Sequence, residues 1–408
     1  MILEIQKDKK ELIGEINLVS SKSECNRALI IQSLCKGDIG IQNISFSDDS
    51  MLLIELLGSD KKILDVKNAG TVMRFLTAFF AIKNKEKILT GSSRMKERPI
   101  KELVDTLIKL GAYIKYEGKE GFPPIHIKKA KPKIQGGEVS IKGNISSQYI
   151  TALLLIAPLL EKGLILNIEG EITSKPYIDM TLKLMSEFGI KYQFENSKII
   201  IDPQEYQEND FTVESDWSSA SYWYALAALS DKVDLIIPFL KKDSLQGDSV
   251  VAKIMEDFGV RTEYLDNKIR LSKTNNKIEY FNYDFKKCPD LAQTFAFLCA
   301  ALKIEAKLTG LATLRIKETD RIKALANEIT KLGTKVIEGE DYLEIYSNEN
   351  NLNLNNTFSS YEDHRMVLSA SMLSMLGVVN ISDYKCISKS YPNFLEDLKS
   401  VYFNIKEY

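Results

Sequence analysis

The chain has 408 residues, 44% apolar and 27% charged, with a formal net charge of -2 and a pI near 6.0. That length and apolar content suit two hydrophobic cores and exclude a mainly disordered chain. The near-neutral balance supplies no global field for nucleic acid or an anionic membrane, so any anion must be bound by local clustering.

The opening stretch MILEIQKDKKELIGEINL alternates apolar and polar residues and reads as a strand, not as a signal or transit peptide. The longest apolar run, ITALLLIAPLL, is about half of what a bilayer requires. Cys25, Cys35, Cys288, Cys299 and Cys386 are scattered without CxxC spacing, which fits reduced thiols in a cytoplasm.

Six segments then follow one plan, a polar opening and an apolar helix rich in small residues: SKSECNRALIIQSL from Ser21, NAGTVMRFLTAFFAI from Asn68, SSQYITALLLIAPLL from Ser146, WSSASYWYALAALS from Trp217, PDLAQTFAFLCAAL from Pro289 and YEDHRMVLSASMLSML from Tyr361. Between them recurs a second unit, an amphipathic helix closed by glycine and followed by two short strands. Its copies are LVDTLIKLGAYIKYEG…PPIHIK, MTLKLMSEFGIKYQFENSKIIID, VVAKIMEDFGVRTEYLDNKIRLSK and ALANEITKLGTKVIEGEDYLEIYS. The glycine is the expected left-handed helix end, and alternation in KIIID or KIRLSK marks half-buried strands. Copies around Asp49 to Gly58 and Asn393 to Val401 are degenerate, as end copies commonly are.

Helices apolar all round belong inside a domain, and those with a polar face belong outside it. Each domain is therefore read as three strand-and-helix units about buried parallel helices. Helices pointing one way would gather their N-termini, with partial positive charge and unpaired N–H groups, at one end.

Of 54 basic residues only nine are arginine: Arg27, Arg74, Arg94, Arg98, Arg261, Arg270, Arg315, Arg321 and Arg365. Lysine evidently serves wherever a generic charge suffices, so the arginines should mark places needing a planar fork for carboxylate or phosphate. All but Arg261 and Arg270 lie in or beside the openings above or in the loops GSSRMKERPI and LRIKETDR, often next to acids such as Glu97, Glu318, Asp320 and Asp363. Mixed charge of this kind points to a compact site for a small polyanion that also transfers protons, not to a nucleic-acid surface.

In order along the chain, SKSECNRAL, NAGTVMRF, TGSSRMKERPI, NISSQYITALL, TSKPYIDMTL, SDWSSASYW, CPDLAQT, RIKETDRI, YEDHRM and ISKSYPNF resemble the motif series of the 5-enolpyruvylshikimate-3-phosphate (EPSP) synthase family of enolpyruvyl transferases. The resemblance implies an α/β fold of two similar domains, 19–213 and 1–18 with 214–408. Each would hold three βαβαββ units around buried parallel helices, an inside-out α/β barrel, with the active site in the interdomain cleft. It implies transfer of the enolpyruvyl group of phosphoenolpyruvate to the 5-hydroxyl of shikimate 3-phosphate, by addition and elimination through a tetrahedral intermediate. The partners would be these two small molecules, with no cofactor, metal, nucleic acid or membrane, in a cytoplasmic monomer.

Carried over by motif, the catalytic residues are Lys22, Asp290 and Glu318. Lys22 would touch both substrates and donate a proton, crowded by other cations. Asp290 would hold the substrate hydroxyls and act as base, and Glu318 would carry a proton. Shikimate 3-phosphate falls to Lys22, Ser23, Arg27, Ser146, Ser147, Gln148, Ser174, Tyr177, Asp290, Thr313 and Lys317. Phosphoenolpyruvate falls to Lys22, Asn68, Gly70, Thr71, Arg74, Arg98, Gln148, Arg321, Arg365 and Lys389, the first domain mainly serving shikimate 3-phosphate. His126 is read as structural, and His364 as a neighbour that shapes the site.

Three positions depart from the family's commonest pattern: Ser20 where glycine usually precedes SKS, Phe75 where proline usually follows the arginine, and Thr313 where asparagine is usual. Two rival readings are UDP-N-acetylglucosamine enolpyruvyl transferase and a non-catalytic repeat scaffold. The first usually shows Lys-Asn where Lys22-Ser23 stands and a cysteine in the loop that here reads GSSRMKERPI. The second would want basic inner helices, whereas these are apolar.

Overall fold

A computed structural model describes every residue except 145, 173, 174 and 349. The chain forms two compact units, Met1–Ser21 with Glu214–Tyr408, and Lys22–Val213.

Within Lys22–Val213, one complete repeat runs through strand Ile63–Asp65, helix Gly70–Ile82, strand Lys87–Thr90, helix Lys101–Lys109 and strands Tyr113–Tyr116 and Ile125–Lys128. The first two strands pair in parallel, with Ile63 opposite Ile88, and the hairpin adds to them antiparallel. Residues 137–201 repeat the plan, with Gly137–Lys142 parallel to Leu164–Glu169 and the pair Gln193–Glu195 and Lys198–Ile201 closing the sheet. The third copy is reduced. Its strands Ile41–Gln42 and Phe211–Thr212 pair in parallel, its helices are Lys22–Leu34 and Asp48–Leu57, and its sheet holds those two strands alone among the described residues.

The other unit carries three four-stranded sheets of the same order. Glu11–Glu15 lies parallel to Lys232–Pro238, Tyr280–Asp284 to Glu305–Thr309, and Thr357–Ser359 to Val379–Ser382, each followed by two antiparallel strands. In the last sheet Ile2–Gln6 inserts between Val379–Ser382 and Asn404–Glu407. The copy near Asn393 looks degenerate in sequence because its missing strand comes from the opposite end of the chain.

Two kinds of helix are distinguished by burial, as the apolar patterning requires. All 13 residues of Trp217–Leu229 are buried, whereas Lys101–Lys109 buries Leu103, Val104 and Leu107 and turns Lys101 and Lys109 to solvent. Each large apolar side chain so buried contributes about 1.5–3 kcal/mol. The amphipathic helices end at Gly111, Gly189, Gly259 and Gly333 with φ of +107°, +82°, +77° and +84°, where any side chain would strain the backbone.

Hydrogen bonds tie the starts of the buried helices together in each unit. Arg27, one turn into Lys22–Leu34, reaches Thr151 Oγ1 at 3.3 Å in the helix Ser147–Ile156, and Gln148 Nε2 donates to Thr71 Oγ1 at 3.1 Å. In the other unit Ser221 and Thr294 hydroxyls meet at 2.9 Å and Arg365 Nη1 donates to Tyr222 Oη at 3.2 Å.

Candidate active site

In the unit Lys22–Val213, the site residues sit on helix starts because each start leaves N–H groups that a polar residue must satisfy. Ser146 accepts from the Gln148 amide at 3.4 Å, and Ser92 from that of Met95 at 3.2 Å. The Ser92 hydroxyl also donates to Asn68 Oδ1, which couples the loop GSSRMKERPI to the segment Asn68-Ala-Gly-Thr.

Gly70 answers a steric demand. A methyl group there would stand 2.6 Å from Arg98 Nη2 and 2.8 Å from Nη1, so the missing side chain is the seat of the Arg98 guanidinium. That guanidinium is buried and donates to the Asn68 carbonyl at 3.3 Å. Arg74, four residues into the same helix, directs Nη2 to the Pro99 carbonyl at 2.8 Å and Nη1 to the Gly70 carbonyl at 3.3 Å. It thereby fixes the loop that carries Arg98.

Arg27 is buried and held by Thr181 Oγ1 at 2.8 Å, the Ser23 carbonyl at 2.6 Å and the Tyr177 carbonyl at 3.3 Å. Burial lowers its pKa to about 10. Phe75, in the usual place of proline, lies inside an unbroken helix Gly70–Ile82 and puts its ring 5.8 Å from the Arg27 guanidinium carbon. A proline there could supply neither the amide nor the ring face.

The charged contact of Lys22 is the Asp49 carboxylate at 3.2 Å, an acid where the sequence suggested a crowd of cations. Ser23, Ser146, Ser147, Gln148, Tyr177, Asn68 and Thr71 are all half-buried at helix starts or just before them. Ser174 lies outside the described residues.

In the other unit six of the expected residues meet in one network. Arg321 is buried at a helix start and reaches three carboxylates. Its Nε and Nη2 take Asp363 at 2.7 and 3.2 Å, its Nη1 takes Asp290 at 3.2 Å, and its Nη2 also takes Glu318 at 2.9 Å. Arg365 Nη2 donates to the second oxygen of Asp290 at 2.8 Å, Lys317 lies 3.8 Å from the first, and Lys389 pairs with Glu318. Thr313 lies in the short turn Ala312–Ile316 that leads to Lys317.

Burial alone would push the Asp290 carboxyl up, but Arg365, Lys317 and Arg321 together hold it well below the usual carboxylate range. Burial would likewise lower Arg321, yet Asp363, Glu318 and Asp290 raise it. For Lys317 burial wins, and its pKa is lowered although Asp290 opposes the shift.

Three acids here were missed or passed over in the sequence. Asp363, fully buried, accepts from the Arg365 amide at 3.0 Å while gripping Arg321, and its place before Arg365 was the available signal. Asp49 sits in a copy read as degenerate. Asp248, in the stretch LQGDS, is 3% exposed and bonds Ser218, and nothing in its local sequence distinguishes it. Burial and then the Asp290 charge raise the pKa of Asp248 to about 7.

The arginine reading needs one correction. Arg94 pairs with Glu97 at 3.2 Å on the surface, and Arg315 ties Asp320 at 2.7 Å to the Glu340 carbonyl at 3.0 Å. Both hold loops in shape. Arg270 pairs through two atoms with Asp234, as a surface strand residue, and His126 bridges Glu117 and Glu86 at 2.8 and 2.9 Å. His364 is buried beside Asp363.

Fold and site define a class, an α/β repeat protein whose polar residues gather at helix starts and whose carboxylates share buried guanidinium and ammonium groups. A family model for EPSP synthase (3-phosphoshikimate 1-carboxyvinyltransferase) matches residues 54–398. A 3-phosphoshikimate 1-carboxyvinyltransferase of Bacteroides fragilis (strain YCH46) is 43% identical over 399 residues, 97% of each chain. That of Sulfurovum sp. (strain NBC37-1) is 38% identical over 95% of this chain and 96% of its own. A solved EPSP synthase from Acinetobacter baumannii, 19% identical, shares the fold over the whole of both chains with a TM-score of 0.79. The chain belongs to the EPSP synthase family. No helix among the described residues is long and apolar enough to cross a membrane.

Proposed function

We propose that the chain transfers the enolpyruvyl group of phosphoenolpyruvate to the 5-hydroxyl of shikimate 3-phosphate, the reaction named for its relatives, in the shikimate route to chorismate. The observation that carries the proposal is the network in which Asp290 and Glu318 share Arg321, with Arg365 and Lys389 at its rim. It supplies cations for a phosphate and a carboxylate, and carboxyl groups for proton transfer, within hydrogen-bonding distance of one another.

The chemistry requires both. The 5-hydroxyl oxygen bonds to C2 of phosphoenolpyruvate as Asp290 takes its proton, while C3 receives a proton from Lys22 or Glu318. A C3 proton then returns to the enzyme as the C2–O bond to phosphate breaks, restoring the double bond. Positioned acid–base groups supply about 10²- to 10⁴-fold each.

Ser23, Arg27, Ser146, Ser147, Gln148, Ser174 and Tyr177 hold shikimate 3-phosphate in the unit that starts at Lys22. Thr313 and Lys317 complete that set, and Asn68, Gly70, Thr71, Arg74 and Arg98 join Arg321, Arg365 and Lys389 around phosphoenolpyruvate. Each unit contributes residues to both sets. The enzyme works as a cytoplasmic monomer. The test is phosphate release from phosphoenolpyruvate, with shikimate 3-phosphate and with UDP-N-acetylglucosamine as separate acceptors. Release with the first alone is expected, and release with the second alone would replace the proposal.

A further inference from the structure

The four cations Lys317, Arg321, Arg365 and Lys389 carry three carboxylates, Asp290, Glu318 and Asp363, and those carboxylates are bound unequally. Asp363 is fully buried, engages Arg321 through Nε and Nη2, and is fixed a second time by the Arg365 amide. Its geometry is that of a permanent anchor, since a two-point fork resists rotation of the guanidinium. Asp290 and Glu318 are less enclosed, with side chains 16% and 13% exposed, and each meets Arg321 through a terminal Nη atom. Their remaining oxygens lie on Arg365 and Lys389. A small anion entering this network would therefore find its cations already holding carboxylates of the protein.

We infer that Asp290 and Glu318 are internal stand-ins for the substrate's anionic groups, and that phosphoenolpyruvate displaces them from Arg321, Arg365 and Lys389 while Asp363 keeps Arg321 in place. This rests on the reading of the site as an enolpyruvyl transferase and adds its control. A carboxylate ringed by three cations is a poor proton acceptor, because each cation stabilises its charge. An anion that draws those cations away raises its basicity at the moment a hydroxyl proton must be taken. Proton-transfer groups thus become competent only when the donor substrate is bound. Asp363, which acts through Arg321, is a positioning residue.

The signs of the mutational effects are opposite for the two kinds of acid. Inorganic phosphate is titrated calorimetrically into the full-length chain, with and without saturating shikimate 3-phosphate, for wild type, Glu318→Gln, Asp290→Asn and Asp363→Asn. Removing a competing charge tightens phosphate binding about 3- to 10-fold in the first two variants, although their turnover collapses. Asp363→Asn weakens binding by about 10-fold or more, because the fork is no longer held. Unchanged or weaker binding in both Glu318→Gln and Asp290→Asn, or no measurable phosphate binding to any variant, overturns the inference. Should Asp363→Asn fail to fold by circular dichroism, the first two signs still decide. Wild-type phosphate release from the two acceptors judges the underlying reaction separately, so failure of one is not mistaken for failure of the other.

Discussion

The two units hold their buried arginines by different means. In Lys22–Val213 the guanidinium of Arg27 rests on hydroxyls and carbonyls, and that of Arg98 donates to a carbonyl. In the other unit Arg321 and Arg365 rest on carboxylates. Neutral acceptors position a cation without cancelling its field, which suits lasting attraction for a phosphate. Carboxylates cancel the field and can exchange protons, which suits a site whose charge must change during a reaction. The fold repeats, but the electrostatics do not.

Removing a proton carrier should have the largest effect, even one that lies in Lys22–Val213. Lys22→Gln should lower kcat by roughly 10²- to 10⁴-fold, read by phosphate release, and a kcat near wild type would remove Lys22 from the chemistry. On the neutral-acceptor side, Gly70→Ala should push the Arg98 guanidinium from its seat, given the 2.6 Å approach. The KM for phosphoenolpyruvate should rise about 10-fold with a smaller change in kcat. Arg98→Lys should do the same without crowding, and an unchanged KM in both would detach that arginine from the substrate.

A smaller effect is expected from Thr181→Val, which removes the Nε acceptor of Arg27. A buried donor left unpaired costs about 1–3 kcal/mol, visible as a lower urea midpoint. An unshifted midpoint would show that the neighbouring hydroxyl of Thr151 can take over.

An effect visible only as a pH slope sharpens the carboxylate side. Asp248 has a folded pKa raised to about 7 against about 3.9 unfolded. Folding therefore favours its protonated form, and that stabilisation, full below the unfolded value, is lost as pH rises through about 7. Asp248→Asn should flatten the decline in urea midpoint between about pH 5 and pH 8 relative to wild type. Parallel declines would mean that Asp248 is ionised throughout.

Local pattern carried much of this into view. The glycines at 111, 189, 259 and 333 announced helix ends because only they tolerate those φ values. The apolar girth of WSSASYWYALAAL announced burial because no polar face was left for water. What stayed hidden was long-range. No spacing tells that Glu11–Glu15 joins Lys232–Pro238, since strand pairing depends on which chain segments meet. Likewise Arg94 and Arg98 stand in one loop, yet the first serves a surface pair and the second a seat beside Gly70. Asp248 and Asp49 became site acids only through three-dimensional neighbours.

The strand Ile2–Gln6 is synthesised long before either neighbour it will lie between, Val379–Ser382 and Asn404–Glu407. Translation therefore holds an unpaired β-segment in waiting until those strands are made, while Lys22–Val213 has every partner it needs far sooner. Maturation is thus expected to be ordered in time, with the Arg321 network among the last parts to set.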